Sequence, residues 1–286
     1  MEQSVQDRIL ESISQAPMLS PSAARLLELI ADADHDLQDV LTIIRADFTL
    51  TARILRVVNS AALSLLQPVA SIDRAVTYLG ERYVVGLAVT DCAAAVYDRP
   101  LPGYDADQKA MWRHHLYCAI VSRLVARHAR HQIDADVTFT GGLLHDIGKA
   151  ILSEYIKGTP EKFVGGISDG AYRDYLDAED QYLGIDHVQA GYSLAKHWRL
   201  PEVLQQIILH HHNPSSAPEE YRALAFAVHL GDILSMMAGF QTGSDGLQYR
   251  IDEGYKDYFT LTPVDLERLI SEANIDFDKF QSSLNS

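Results

Sequence analysis

Cysteine is nearly missing from this chain. Its 286 residues hold two, Cys92 and Cys118. Two are too few for a disulfide framework, and both lie in apolar helical context, as buried thiols of a reducing compartment do. Positive charge is also scarce. Lys and Arg number 24 against 39 Asp and Glu, a formal net charge of −15. Binding a phosphate backbone needs clustered cations, so no nucleic-acid partner is expected, and only a local basic patch stays open. No apolar run reaches the length of a membrane span. The opening stretch MEQSVQDRILESIS carries acids and lacks the apolar segment of a signal peptide. A cytoplasmic protein with no membrane partner is the expectation. Strand-type alternation of Val, Ile and Thr is scarce and no tandem repeat of solenoid type occurs, so neither a sheet nor a solenoid finds support.

What is present reads as helix. Hydrophobic residues make up 47% of the chain, enough for a sizeable core in one large domain or two small ones. Ser4–Ser14 forms a short amphipathic helix, ended by Pro17. Ser20-Pro21 is a cap with a first-turn proline, Asp36 caps Leu37–Arg45, and Ser71 caps Ile72–Leu79 before Gly80 stops it. Further helices are expected over Ala52–Leu63 and Glu81–Val96. Asp98–Asp107, with two prolines and one glycine, is the best boundary. Beyond it the pattern predicts helices over Gln108–Arg130, Asp136–Tyr155, Ala171–Leu183, His187–Trp198, Glu202–His212 and Glu219–Ala238. Lys157–Gly170 and Gly239–Gly254 read as loops, and a last helix runs from Thr262-Pro263 to about Ile275 before a frayed tail. The expected organisation is an all-α bundle: an N-terminal helical lobe over 1–104, a lobe carrying the chemistry over 105–240, and an extension over 241–286.

Histidine is the compositional outlier, at 12 residues, and only His35 lies before the boundary. The stretch GGLLHDIGKAIL sets His145-Asp146 inside an apolar helical run. Buried charge is costly unless compensated, and a metal ion is one compensator. Adjacent residues of a helix point about 100° apart, so such a pair serves two metals, or one metal and its bridge. More ligands are at hand. His114 lies on a long helix with Tyr117 and Cys118 on the same side; His187 follows Asp186 in a first turn; His210-His211-His212 end a helix; Asp232 is an acid in the apolar stretch AFAVHLGDILSMMA. Imidazoles joined by carboxylates favour a harder, octahedral ion over a structural tetrahedral zinc. Two-metal sites commonly clamp a phosphate.

Each residue also has an ordinary reading. A lone helical histidine is usually structural, and Asp232 alone can be a cap or a hydrogen-bonded buried acid. Lys149 either faces a substrate phosphate or is a solvated surface lysine. His35, His128, His131 and His197 read as exposed and structural. His229, one turn before Asp232, either supports a ligand or packs in the core, and Cys118 reads as packing. A further alternative has the histidines bonded to one another without metal, a fold that acid would destabilise.

The ordered blocks MWRHHLYCA, TGGLLHDIGKAIL, LGIDHVQAGYSLAKHWRLPEVLQQIILHHHNP and AVHLGDIL resemble the HD superfamily of metal-dependent phosphohydrolases. With the earlier blocks from Ala16 to Leu63 and from Pro68 to Val89, the chain is similar to the HDOD branch, the HD-related output domains, over roughly residues 16–235. The resemblance implies an HD-type helical bundle holding two divalent ions (iron, manganese, zinc or magnesium). By resemblance His114 is the first ligand, His145 and Asp146 are the HD pair with Asp146 bridging, and His187 serves the second metal. His211 and His212 are the paired histidines before Asn213-Pro214, Asp232 closes the first metal, and Lys149 faces substrate phosphate. Asp146 and Lys149 would thus be the catalytic residues. No Gly-Tyr-Pro motif follows His212, and Ala110 stands where a trinuclear relative would place an acid, so at most two metals and no cyclic-di-GMP hydrolysis are expected. The family's usual role implies a bacterial signalling or regulatory protein, with a signalling protein or a second copy of the chain as partner. The alternative is a metal-dependent phosphodiesterase acting on a phosphoester ligand, a nucleotide or cyclic nucleotide.

Overall fold

Polar caps set where the helices begin. In the computed structural model, which describes residues 3–32, 35–59, 69–80, 84, 86 and 100–284, Ser4 and Asp7 form a reciprocal capping box for α1, Val5–Ser14. Ser20 caps α2, Pro21–Ile30, and Asp36 caps α3, Leu37–Ala46. After α4, Phe48–Val58, Ser71 caps α5, Ile72–Leu79, which Gly80 stops at φ +82°. Leu26, Leu27, Ile30, Val40, Leu41 and Ile44 face inward, and α2 to α5 pack against one another as an N-terminal lobe. Helix α1 instead packs on the second lobe, where the Trp198 indole donates to the Pro17 carbonyl at 3.0 Å.

The second lobe is built on α6, Ala110–Ala126, which is buried on nearly every side. Around it lie α7 (Ala135–Leu144), α8 (Ile147–Leu152), α9 (Pro160–Ser168), α10 (Tyr175–Leu183), α11 (His187–His197), α12 (Glu202–His210) and α13 (Glu219–Met237). The short α14, Tyr255–Tyr258, and α15, Pro263–Leu284, follow. The fold is all-α. Among the described residues there is no strand, only two isolated bridges, Leu101 to Ala106 and Ala129 to Phe259. Two close approaches position the chemistry. A Cβ on Gly148 would lie 1.9 Å from the His187 carbonyl oxygen, so α8 can touch α11 only through glycine. A Cβ on Gly231 would lie 2.1 Å from Ser122 Oγ, so α13 likewise seats against α6.

Several boundaries differ from the sequence expectation. The helix expected over 136–155 breaks at Asp146, whose φ of −100° and ψ of 15° are not helical. Residues 157–170 are not a loop. Pro160 opens α9, and buried Phe163, edge-on to Tyr172, Tyr175 and Tyr182, anchors it despite two glycines. The last helix runs on to Leu284 because Leu269, Ala273 and Phe277 continue its inward stripe. The Tyr117 hydroxyl reaches across from α6 to Asn274 Oδ1 at 2.9 Å. Cys118 is buried, as expected. Cys92 and most of the helices expected beyond 59 and over 81–96 lie outside the described residues.

Candidate metal centre

Separate elements deliver the histidines and acids to one point. His114 comes from α6, His145 and Asp146 from the α7–α8 junction, His187 from the start of α11, His211 and His212 from just past α12, and Asp232 from α13. All of their side chains are buried, those of Asp146 and His145 completely. The break at Asp146 lets two adjacent residues face one centre. It releases the carboxylate from the helix face and aims its two oxygens in different directions. Asp146 Oδ2 lies 3.4 Å from His145 Nε2 and 3.6 Å from His114 Nε2. Oδ1 lies 3.3 Å from His187 Nε2 and 3.3 Å from His211 Nε2. Asp232 Oδ1 joins the first group, 3.1 Å from His114 Nε2. His212 stands by the second, its Nε2 3.1 Å from that of His187.

The far side of four rings is fixed. Nδ1 of His114 donates to the Phe240 carbonyl at 2.6 Å, that of His145 to Gly142 at 2.9 Å, and that of His211 to Ile208 at 2.9 Å. His187 Nδ1 donates to Glu179 Oε2 at 2.7 Å. A carbonyl or carboxylate oxygen only accepts, so each of these Nδ1 atoms carries a proton, and in the neutral ring the inward Nε2 keeps a lone pair, the tautomer a metal ligand needs. In that tautomer the Nε2 to Nε2 contact of 3.2 Å between His114 and His145 pairs acceptor with acceptor and requires a cation or a proton between the two nitrogens. His212 Nε2 lies 3.1 Å from His187 Nε2. Asp146 Oδ1, His211 Nε2, His212 Nδ1 and Asp232 Oδ2 are buried without a hydrogen-bond partner. The candidate ligand atoms within each group lie within 4.8 Å of one another. Such a set of orphaned acceptors fits divalent cations better than histidines bonded only to each other.

Charge points the same way. Among the described residues four carboxylates, Asp146, Glu179, Asp232 and Asp245, are buried with one ammonium, Lys149. Burial by itself would raise the Asp146 carboxyl, but the Lys149 and His145 charges hold it well below the carboxylate range. Burial would likewise raise Asp232, and hydrogen bonding with His114 and His145 reverses it. Burial would lower His187, yet Glu179 and Asp146 push it up to about 10. His211, with less compensation, is pulled by burial down to about 4.

The remaining expectations divide. Lys149 is not a solvated surface lysine: it is 2% exposed, and its Nζ lies 2.5 Å from both Asp146 Oδ2 and Asp245 Oδ2. His229 is buried and donates to the His211 carbonyl at 2.8 Å. His35, His128, His131, His197 and His210 stay outside the cluster. Glu179, Asp245 and Tyr104 went unnoticed in the sequence. No spacing in the sequence ties Glu179 to His187 eight residues on. His115, also passed over, is buried with its ring 5.0 Å from that of His145, and forms a third group with His145 and Asp146.

Comparisons with known proteins follow the same lines. The HDOD domain model matches residues 16–214. A sequence from Treponema pallidum (strain Nichols), known only as an uncharacterized protein, is 27% identical over 224 residues, or 77% of this chain and 42% of the relative. The chain thus spans less than half the length of the curated relative it matches. Among solved structures, an HDOD domain protein of unknown function from Geobacter sulfurreducens is 20% identical with a TM-score of 0.72, covering 99% of this chain and 96% of that one. A candidate signal transduction protein from Marinobacter aquaeolei VT8 is 20% identical with a TM-score of 0.76, covering 100% of this chain and 61% of that one. A candidate phosphohydrolase from Shewanella amazonensis SB2B is 22% identical with a TM-score of 0.63, covering 97% of each. At these identities the likeness is one of fold. No helix among the described residues is long and apolar enough to cross a membrane.

Proposed function

The chain belongs to the HDOD family, and from that premise we propose that it is a regulatory, signal-transduction module built around a two-metal centre. One observation carries the reading. Asp146 turns each of its oxygens toward a different pair of imidazoles; Oδ2 also meets the Lys149 ammonium, and Oδ1 has no hydrogen-bond partner. His114, His145, Asp146 and Asp232 would hold one divalent cation; Asp146, His187, His211 and His212 would hold the other. When bound, such a pair supplies charge that clamps and polarises a phosphoryl group. The protein's own residues do the rest. Glu179 fixes the His187 ring and tautomer, His229 holds the backbone of His211, and Lys149 balances the bridging carboxylate.

A regulatory role is favoured over steady turnover because the ligands are sealed from solvent and Lys149 is already paired with Asp245. The signalling partner would be another protein or a second copy of the chain. The second reading, a metal-dependent phosphodiesterase acting on a nucleotide or cyclic nucleotide, draws support from Lys149 itself, a buried cation beside the bridging carboxylate where a phosphate would be neutralised. Elemental analysis of protein purified without chelator tests the common premise. About two equivalents of iron, manganese, zinc or magnesium are expected, both lost in Asp146→Ala, with one retained in His211→Ala. No metal in the unaltered protein would overturn both readings. Metal without turnover on a phosphoester panel supports the regulatory one, and a robust rate abolished by Asp146→Ala supports the phosphodiesterase.

A further inference from the structure

Residues 239–254 leave α13 and return across the centre. At the crossing, the Ser244 amide donates to the Tyr104 carbonyl at 2.7 Å. A Cβ on the preceding Gly243 would stand 1.9 Å from that same oxygen, so only glycine lets the two backbones meet. Asp245 and Tyr249 are thereby turned inward, 1% and 9% exposed. Asp245 Oδ2 accepts from the Lys149 ammonium at 2.5 Å and from the Tyr249 hydroxyl at 2.9 Å. The Tyr249 ring stacks on His212, centroids 3.9 Å apart. Asp245 Oδ1 is buried with no hydrogen-bond partner.

A fourth carboxylate adds to the negative charge of a pocket that already exceeds its one ammonium. Its position is what distinguishes it. It lies on the same lysine nitrogen as the bridging Asp146, presents one satisfied and one free oxygen, and is roofed by an aromatic ring stacked on a ligand. An oxygen anion entering the centre would take that place. The segment carrying it has no helix between α13 and α14 and leaves Leu247 and Ile251 exposed, with Phe240 and Tyr249 as its packed anchors.

Resting on the metal reading above, we propose that Asp245, with Tyr249, is an internal anionic ligand that closes the centre. It occupies Lys149 in place of a phosphate-type oxyanion, and the centre admits such an anion only when residues 243–249 withdraw. The test compares the unaltered full chain with Asp245→Asn and Tyr249→Phe, each loaded with Mn²⁺ and its metal content measured. Inorganic phosphate is then titrated by calorimetry. Equal metal content is expected in all three, with phosphate binding at least about ten-fold tighter in Asp245→Asn, because Lys149 is freed and a like charge removed. Tyr249→Phe, which keeps the carboxylate and the stacked ring, is expected to fall between. Equal metal content with equal phosphate affinity in all three overturns the inference and leaves the metal reading standing. Failure of the unaltered chain to take up metal overturns both. If Asp245→Asn does not fold, Tyr249→Phe decides, and an unchanged phosphate affinity in it overturns the inference.

Discussion

Glu179 holds His187 from behind at 2.7 Å and gives its other oxygen to the Tyr104 hydroxyl at 2.6 Å. A carboxylate in that position makes the ring a better ligand and also a better base, so cation and proton compete for the same nitrogen. With His187 pushed up to about 10, a cation entering the second position at neutral pH must displace a proton. Metal affinity should therefore rise with pH from about 6 to about 8, with protons released on binding. Calorimetry in two buffers of different ionisation enthalpy reads that release, and an affinity flat with pH would refute it. Glu179→Gln keeps the shape and removes the charge. It should weaken the second metal by about 10–100-fold while leaving the one at His114 and His145 in place, as competition with a chromophoric chelator would show.

Among the elements, the short α8 has the most to do. It begins at the break that frees Asp146 and lies against α11 through Gly148. Gly148→Ala would drive a methyl toward the His187 carbonyl oxygen and the Gly191 amide nitrogen, both backbone atoms that cannot rotate aside. A loss of about 1–3 kcal/mol is expected by urea denaturation, together with the second metal, because α8 and α11 carry Asp146 and His187. Gly165 is the control. It lies inside α9 with open space around it, so Gly165→Ala should stabilise the protein by about 0.5–1 kcal/mol and leave metal content unchanged. If both variants behaved alike, helix propensity rather than close packing would govern α8.

Over the whole molecule, the candidate ligands come from positions 114 to 232, so a complete set exists only in the folded chain. A cation binding the folded state alone stabilises it by about 2.7 kcal/mol at a hundred-fold excess over Kd. Removing metal with a chelator should thus lower Tm by roughly 5–10 °C for a chain of this size. Differential scanning calorimetry before and after chelation checks it, and an unchanged Tm would mean that the centre holds no cation. The extension is part of the same unit. Phe240, Asp245, Tyr249 and Asp252 all touch the centre or its supports, and α15 packs on α6.

Local rules made much of this legible in the sequence. Ser20, Asp36, Ser71 and Pro21 mark helix starts because a cap needs only its own first turn, and the apolar stripes of α2 and α3 need only the helical period. The candidate ligand residues stood out because histidines and acids in apolar surroundings demand compensation whatever the fold. Other features depended on the packing of distant segments. The break at Asp146 is set by what its two oxygens must face, and α9 is a helix because Phe163 finds three tyrosines. Glu179, Asp245 and the pairing of Lys149 come from segments far apart in sequence, and no periodicity joins them. Charge and period are written residue by residue, so the sequence alone determined an all-α chain with a buried histidine–aspartate set. Which oxygen meets which nitrogen, and which segment closes over them, depends on contacts between distant elements, and only the tertiary structure decided it.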